Sequence, residues 1–180
     1  MSDLCIRHLL REHREVEGGM KNFEQFLVDQ APLDVWGPRE QEDFATLQDY
    51  FHLHLHRHLR KEDEILFPAL EGFLPRDLGP LAVLRGEHED VRELYRRVKI
   101  AGEARLRPQV GFEARAQLEH YSAGMVRVLR DHIYKEDRIL FPMVARFLTP
   151  ERDGELLRQM EALHQNAATV FRGAPPEIAR

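Results

Sequence analysis

Two imidazole–carboxylate pairs recur in this chain inside near-identical segments: residues 58–68 read HLRKEDEILFP and residues 132–142 read HIYKEDRILFP. Each sets a histidine four residues before a glutamate, His58 before Glu62 and His132 before Glu136. On a helix, side chains at i and i+4 lie one above the other on the same face, so each pair can grip one cation. A second matched signal stands upstream of each pair: Glu12 and His13 ahead of Val16, and Glu87 and His88 ahead of Val91. The lone histidines are 75 residues apart and the pairs 74. The chain therefore reads as two copies of a helix pair, each bringing one lone histidine and one His-x-x-x-Glu.

A neutral histidine in a core is ordinarily a hydrogen-bonded filler. Two carboxylates in core seams are harder to accommodate, because burying an ionised glutamate without a partner costs several kcal/mol. Neither seam offers a Lys or Arg at the level of Glu62 or Glu136. A metal would satisfy both carboxylates and His13, His58, His88 and His132 together. These six residues come from four helices, which is how helical bundles build dinuclear sites. Imidazole and carboxylate without thiolate suit iron, manganese or zinc and exclude thiolate-rich and all-oxygen sites. The order His-x-x-x-Glu also differs from the Glu-x-x-His of the carboxylate-rich di-iron bundles.

The elements that must position these groups are legible from apolar spacing. Ile6, Leu9, His13, Val16, Met20, Phe23 and Leu27 alternate steps of three and four, the seam of a helix packed in a bundle. After a turn segment over 30–38, the same rule gives Phe44, Leu47, Phe51, His54, His58, Glu62 and Ile65. A third helix begins after Gly79 at Pro80 and shows Leu81, Leu84, His88, Val91, Tyr95 and Val98. A fourth, beyond Pro108, runs Leu118, Ser122, Met125, Leu129, His132, Glu136, Ile139 and Met143; a fifth starts near Thr149 and Pro150 and carries Leu156, Met160, Leu163 and Phe171. Residues 51–58 alternate with period two, which alone would read as a strand. Their flanks keep helical phase and no Gly or Pro occurs from 39 to 67, so helix is expected. Pro68 and Pro142 should each end or kink a helix at the same level.

Composition narrows the partners. The 180 residues suit one domain with a real core, and 26 basic against 31 acidic residues mixed along the chain leave no basic stripe for nucleic acid and no polybasic membrane patch. The N-terminus carries charges where a secretory signal needs an apolar segment, and no apolar run approaches the roughly 20 residues that span a bilayer. A cytoplasmic protein with no nucleic-acid or membrane partner is expected. The single cysteine, Cys5, cannot form an internal disulfide.

On these residues the chain resembles the hemerythrin-like (HHE cation-binding) family: His13 on the first helix, His58 and Glu62 with Leu66, Phe67 and Pro68 on the second, His88 on the third, and His132 and Glu136 with Leu140, Phe141 and Pro142 on the fourth. The likeness covers about residues 4–147. It implies an all-α, antiparallel up-down-up-down four-helix bundle over residues 1–148; the additional C-terminal helix and tail over 149–180 lie outside the likeness and are expected to pack on the same domain. It further implies a non-haem di-iron centre, Glu62 and Glu136 bridging and the four histidines terminal, with manganese or zinc as alternative metals. Oxygen-carrying members of the family have a fifth histidine one turn from the third-helix histidine, where this chain has Leu84 and Arg92. With two histidines per metal, each iron of the implied centre would keep an open position, which favours reaction over carriage.

Other residues are weighed against this set. His54, one turn before His58, is a candidate fifth nitrogen, although its repeat mate is Val128; His164 aligns loosely with His88 and more simply packs a helix. His8, His52, His56 and His120 fall off the seams. Glu12 and Glu87, each just before a lone histidine, read by default as a solvated face and otherwise as groups that orient neighbouring imidazoles, while Lys61 and Lys135 read as surface charge pairing. Three functions fit: a di-iron protein that binds, senses or reacts with O2, NO or peroxide; a reversible oxygen carrier or a module that supplies iron for iron–sulfur repair; and a structural bundle with zinc or no metal. A homodimer through the fifth helix is compatible with all three.

Overall fold

The computed structural model describes residues 4–33, 35–107, 109 and 111–172. The side chains of 111 and 164–172 lie outside that description, and with them His164 and Phe171. Helices α1 (Leu4–Gln30), α2 (38–70), α3 (Pro80–Ala104), α4 (111–147) and α5 (Pro150–Arg172) account for the architecture, and no strand occurs among the described residues. The alternating segment 51–58 is helical, as its flanks require.

Glycine and proline set where the helices begin. Gly37 precedes Pro38, whose fixed φ suits a first helical position, and the Gly37 N–H donates to Glu40 Oε2 at 2.8 Å. Gly79 holds a φ of +73°, in the left-handed region, and turns the chain into Pro80 and α3. Helix α1 has no acidic residue in its first turn. Its leading N–H groups instead donate to a side chain from the far end of the sequence: Leu4 and Cys5 both give hydrogen bonds to the buried carboxylate of Asp153 on α5, at 2.8 and 2.9 Å.

Neighbouring helices run antiparallel. His13 meets His58 while Phe26 meets Phe44 along α1 and α2; His88 meets His132 while Leu94 faces Gly124 along α3 and α4. The same reversal holds for α2 with α3, through Asp63 to His88 and Phe44 to Gly102, and for α1 with α4, through His13 to Asp137 and Glu24 to Arg130. The four rods thus form the expected up-down-up-down bundle. Gly19 and Gly102 are required by the closeness of this packing: a Cβ would stand 2.5 Å from the Tyr50 ring at the first and 2.2 Å from Phe44 at the second.

The core is divided by a polar layer. One apolar cluster holds Val16, Phe23, Phe51, Leu59, Val91 and Leu129, and the other holds Leu9, Leu66, Phe67, Leu84, Leu140 and Phe141. Between them, at 0–2 % exposure, lie His13, His58, Glu62, His88, His132 and Glu136.

The matched prolines do not end their helices. Each is preceded by a widened π turn, Glu62–Leu66 and Glu136–Leu140, closed by the Phe67 N–H donating to the Glu62 carbonyl and the Phe141 N–H to that of Glu136. Proline has no N–H to give and its ring collides with the carbonyl four residues back; the wider turn absorbs both defects. The chain continues helically to Leu70 and Phe147. A third such turn covers His52–His56. Every extra residue advances the buried seam, so three expectations are corrected: Leu66 and Leu140 are buried where uniform periodicity places Ile65 and Ile139, and Leu55 is buried in place of His54.

Candidate metal centre

The repeat seen in the sequence becomes two overlapping clusters in space. His13, His58, Glu62 and Glu136 offer ligand atoms within 4.8 Å of one another, as do Glu62, His88, His132 and Glu136. Both clusters share the two carboxylates. In the first, His13 Nε2 lies 3.0 Å from His58 Nε2 and 3.1 Å from Glu136 Oε2. In the second, His88 Nε2 lies 3.2 Å from His132 Nε2 and 3.4 Å from Glu62 Oε2.

The opposite face of each imidazole fixes its orientation. The four Nδ1 atoms each meet a carboxylate on another helix: His13 to Asp137 at 2.7 Å, His58 to Glu12 at 3.2 Å, His88 to Asp63 at 2.9 Å and His132 to Glu87 at 3.2 Å. Assigning the Nδ1–H to these contacts leaves every Nε2 lone pair turned inward, the arrangement by which outer carboxylates orient metal-binding histidines. Three of those carboxylates are themselves held, Glu12 by Lys61, Glu87 by Lys135 and Asp63 by Arg92. Two rings are also stacked from the apolar side: Phe141 on His13 and Phe67 on His88, with centroids 5.4 and 5.3 Å apart.

The donor set fits a cation. Both oxygens of Glu62 and Oε1 of Glu136 are buried with no hydrogen-bond partner. Inward-facing nitrogen lone pairs 3.0–3.2 Å apart repel unless a positive charge lies between or beside them. With protons as the only cations, the site divides them unevenly. Burial and the adjacent Glu136 hold Glu62 well above the usual carboxylate range; burial pushes Glu136 the same way, but His132 and His13 outweigh it and hold it well below. Burial depresses His58 to about 4, whereas at His132 the effect of burial is overcome by Glu136 and Glu87 and the ring rises to about 9.

A profile of the Hemerythrin HHE cation binding domain matches residues 5–144, with a second, overlapping match over 79–178. The chain belongs to the hemerythrin HHE cation-binding family. This HHE chain is also similar to proteins named iron-sulfur cluster repair protein YtfE: 28 % identical over 106 residues to that of Citrobacter koseri, covering 58 % of this chain and 48 % of the relative. The protein of that name from Enterobacter sp. strain 638 is likewise 28 % identical over 106 residues, 58 % of this chain and 47 % of the relative, and one from Escherichia coli is 29 % identical over 92 residues, 51 % and 42 %. The chain spans about half the length of these curated relatives or less. No solved structure matches. Among the described residues no helix is long and apolar enough to cross a membrane.

All six expected ligands of this HHE domain converge. His54 does not join them: its Nδ1 bonds Glu15 at 2.9 Å and its ring stacks on Tyr50 at 4.2 Å. Lys61 departs from the surface role read for it, being wholly buried with its ammonium between Glu12 and His8 Nε2. His8 accordingly belongs to the support of the site, while His56 lies edge-on to Tyr95. The sequence reading missed Asp63 and Asp137, and the stacking role of Phe67 and Phe141. All four sit in the doubled segments at the 74-residue offset, which was the available signal.

Proposed function

We propose that this chain is a non-haem di-iron protein that binds and reacts with a small diatomic or peroxidic ligand, O2, NO or hydrogen peroxide, in stress or redox handling. The observation that carries the reading is the sharing of two buried, incompletely partnered carboxylates, Glu62 and Glu136, between two histidine pairs. A nitrogen- and oxygen-donor set without thiolate suits iron, and the similarity to proteins named for iron–sulfur cluster repair favours iron over zinc or manganese.

Bound here, two irons would supply open coordination positions and electrons for the ligand. The chain's own residues do the rest. Glu62 and Glu136, common to both clusters, would serve both ions, with His13 and His58 holding one and His88 and His132 the other. Asp137, Glu12, Asp63 and Glu87 fix the imidazole orientations through Nδ1. Leu84, one turn before His88, adds no donor, and the apolar clusters on either side keep bulk water from the layer. The test is to mix reduced, iron-loaded protein with NO, O2 and hydrogen peroxide in turn while recording the optical spectrum. A rapid change with at least one ligand supports the reading; indifference to all three overturns it.

A second reading, delivery of iron to damaged iron–sulfur proteins, is favoured by the names of the relatives. A donor passes iron to an acceptor protein, a reversible carrier returns O2 intact, and a structural domain folds equally well without metal.

A further inference from the structure

The two halves of the polar layer are related by the repeat, and α5 breaks that symmetry. Its main neighbours are α1 and residues 57–66 of α2. It seats Leu156 and Met160 in the cluster with Cys5, Leu9 and Leu66, and lays Asp153 over the start of α1. The corresponding face of α3 and α4 is an open apolar groove of about 180 Å³, lined by Gly79, Val83, Leu84, Lys135, Ile139 and Leu140. Val83 and Ile139 are 51 % and 50 % exposed. Their repeat mates, His8 and Ile65, are largely covered. The matched lysines show the same difference: Lys61 is 0 % exposed and Lys135 37 %.

We propose that the two metal positions differ in exchange: the ion held by His88 and His132 enters and leaves beside this groove, and the ion held by His13 and His58 is retained. The inference rests on the two-metal reading above. For an ion to leave, an imidazole must swing away and an incoming ligand must take its place, and both movements need room. The groove is lined by neighbours of the layer. Leu84 is one turn from His88, Leu140 one turn from Glu136, and Lys135 adjoins Glu136 and pairs with Glu87, the carboxylate that orients His132. In the Lys135–Glu87 pair the lysine is partly exposed, so water can replace its partner and the pair opens at lower cost. Opening the buried Lys61–Glu12 pair strands an ammonium away from water, which is far less favourable. None of the six ligands lines this groove or the two larger ones, of about 560 and 540 Å³, but only this groove includes a side chain, Lys135, that holds a carboxylate orienting one of the ligands.

The test is chelator-driven release of ferrous iron from the full chain, loaded anaerobically to two ions per chain and followed by the colour of the chelator complex. Release is expected in two phases of similar amplitude, differing in rate by roughly tenfold or more. Val83→Trp and Ile139→Trp, which fill the groove from exposed positions, should each slow the fast phase roughly threefold or more, with the slow phase, the two-ion capacity and the Tm unchanged. Release of both ions in one phase, or groove-filling variants that slow only the slow phase or both equally, would overturn the inference while leaving the two-metal reading intact. A chain that never binds two ions overturns both.

Discussion

The ring of Phe141 lies stacked on the imidazole of His13, interplanar angle 15° and centroids 5.4 Å apart, just as Phe67 lies on His88. The phenylalanine of each Leu-Phe-Pro segment thus packs against the lone histidine of the other half of the chain. Each ring presses one face of its imidazole while a carboxylate takes the Nδ1, and the Nε2 is left a single direction. Phe141→Ala removes this wall and a fully buried side chain, so a loss of about 3–5 kcal/mol in stability is expected by urea unfolding, with weaker metal binding. A loss below about 1 kcal/mol would show that the ring is not a packing element of the site.

Asp63 and Asp137 should act on metal affinity more than on folding. Asn at either position keeps the shape but replaces the charge-assisted acceptor at His88 or His13 with a neutral one. Metal affinity measured by chelator competition should fall by roughly 10–100-fold for each variant. Glu93→Gln, at a carboxylate paired with Arg96 and Arg97 on the surface, should leave it unchanged.

Asp153 ties α5 to α1 through the Leu4 and Cys5 N–H groups. Losing a helix-capping carboxylate costs about 1–2 kcal/mol. Asp153→Ala should therefore lower stability by at least that amount, and Asp153→Asn, which still accepts a hydrogen bond, by less. Equal unfolding midpoints for the parent and the alanine variant would contradict the capping role.

Together, His58 and His132 should make the metal-free chain lose stability on either side of about pH 6.5. His58, depressed to about 4 from an unfolded value near 6.5, resists protonation in the fold, so stability falls as pH drops from 6.5 through 4. His132, raised to about 9, is protonated more readily folded than unfolded; its contribution is complete below 6.5 and is lost as pH rises through 9. Bound metal replaces that proton, so the alkaline decline should vanish when metal is restored. Thermal unfolding of chelated and reloaded protein across pH 4–10 checks this, and parallel profiles would refute it.

Much of this was legible in the residues. The two-fold repeat, the lone histidines in apolar seams and the His-x-x-x-Glu pairs carried both the bundle and the six-residue cluster. What escaped had physical reasons. A uniform 3.6-residue period cannot anticipate π turns, so Ile65, Ile139 and His54 were placed on seams that pass instead to Leu66, Leu140 and Leu55. Lys61 is buried where α1 brings Glu12 and His8 to its ammonium and α5 packs on the same stretch of α2, and nothing local to residue 61 records that. Asp63 and Asp137 follow immediately after the shared glutamates; their outward i+1 position on a helix hid the fact that a neighbouring helix brings a histidine to each.

Two metal ions held by the six buried side chains, as proposed, would be counted by elemental analysis of protein purified without chelators, on the parent chain and on His58→Ala, Glu62→Ala and His120→Ala. The parent should carry close to two irons per chain, the first two variants about half of that or less, and the third as much as the parent. One zinc, no metal, or the same content in all four proteins would contradict the proposal.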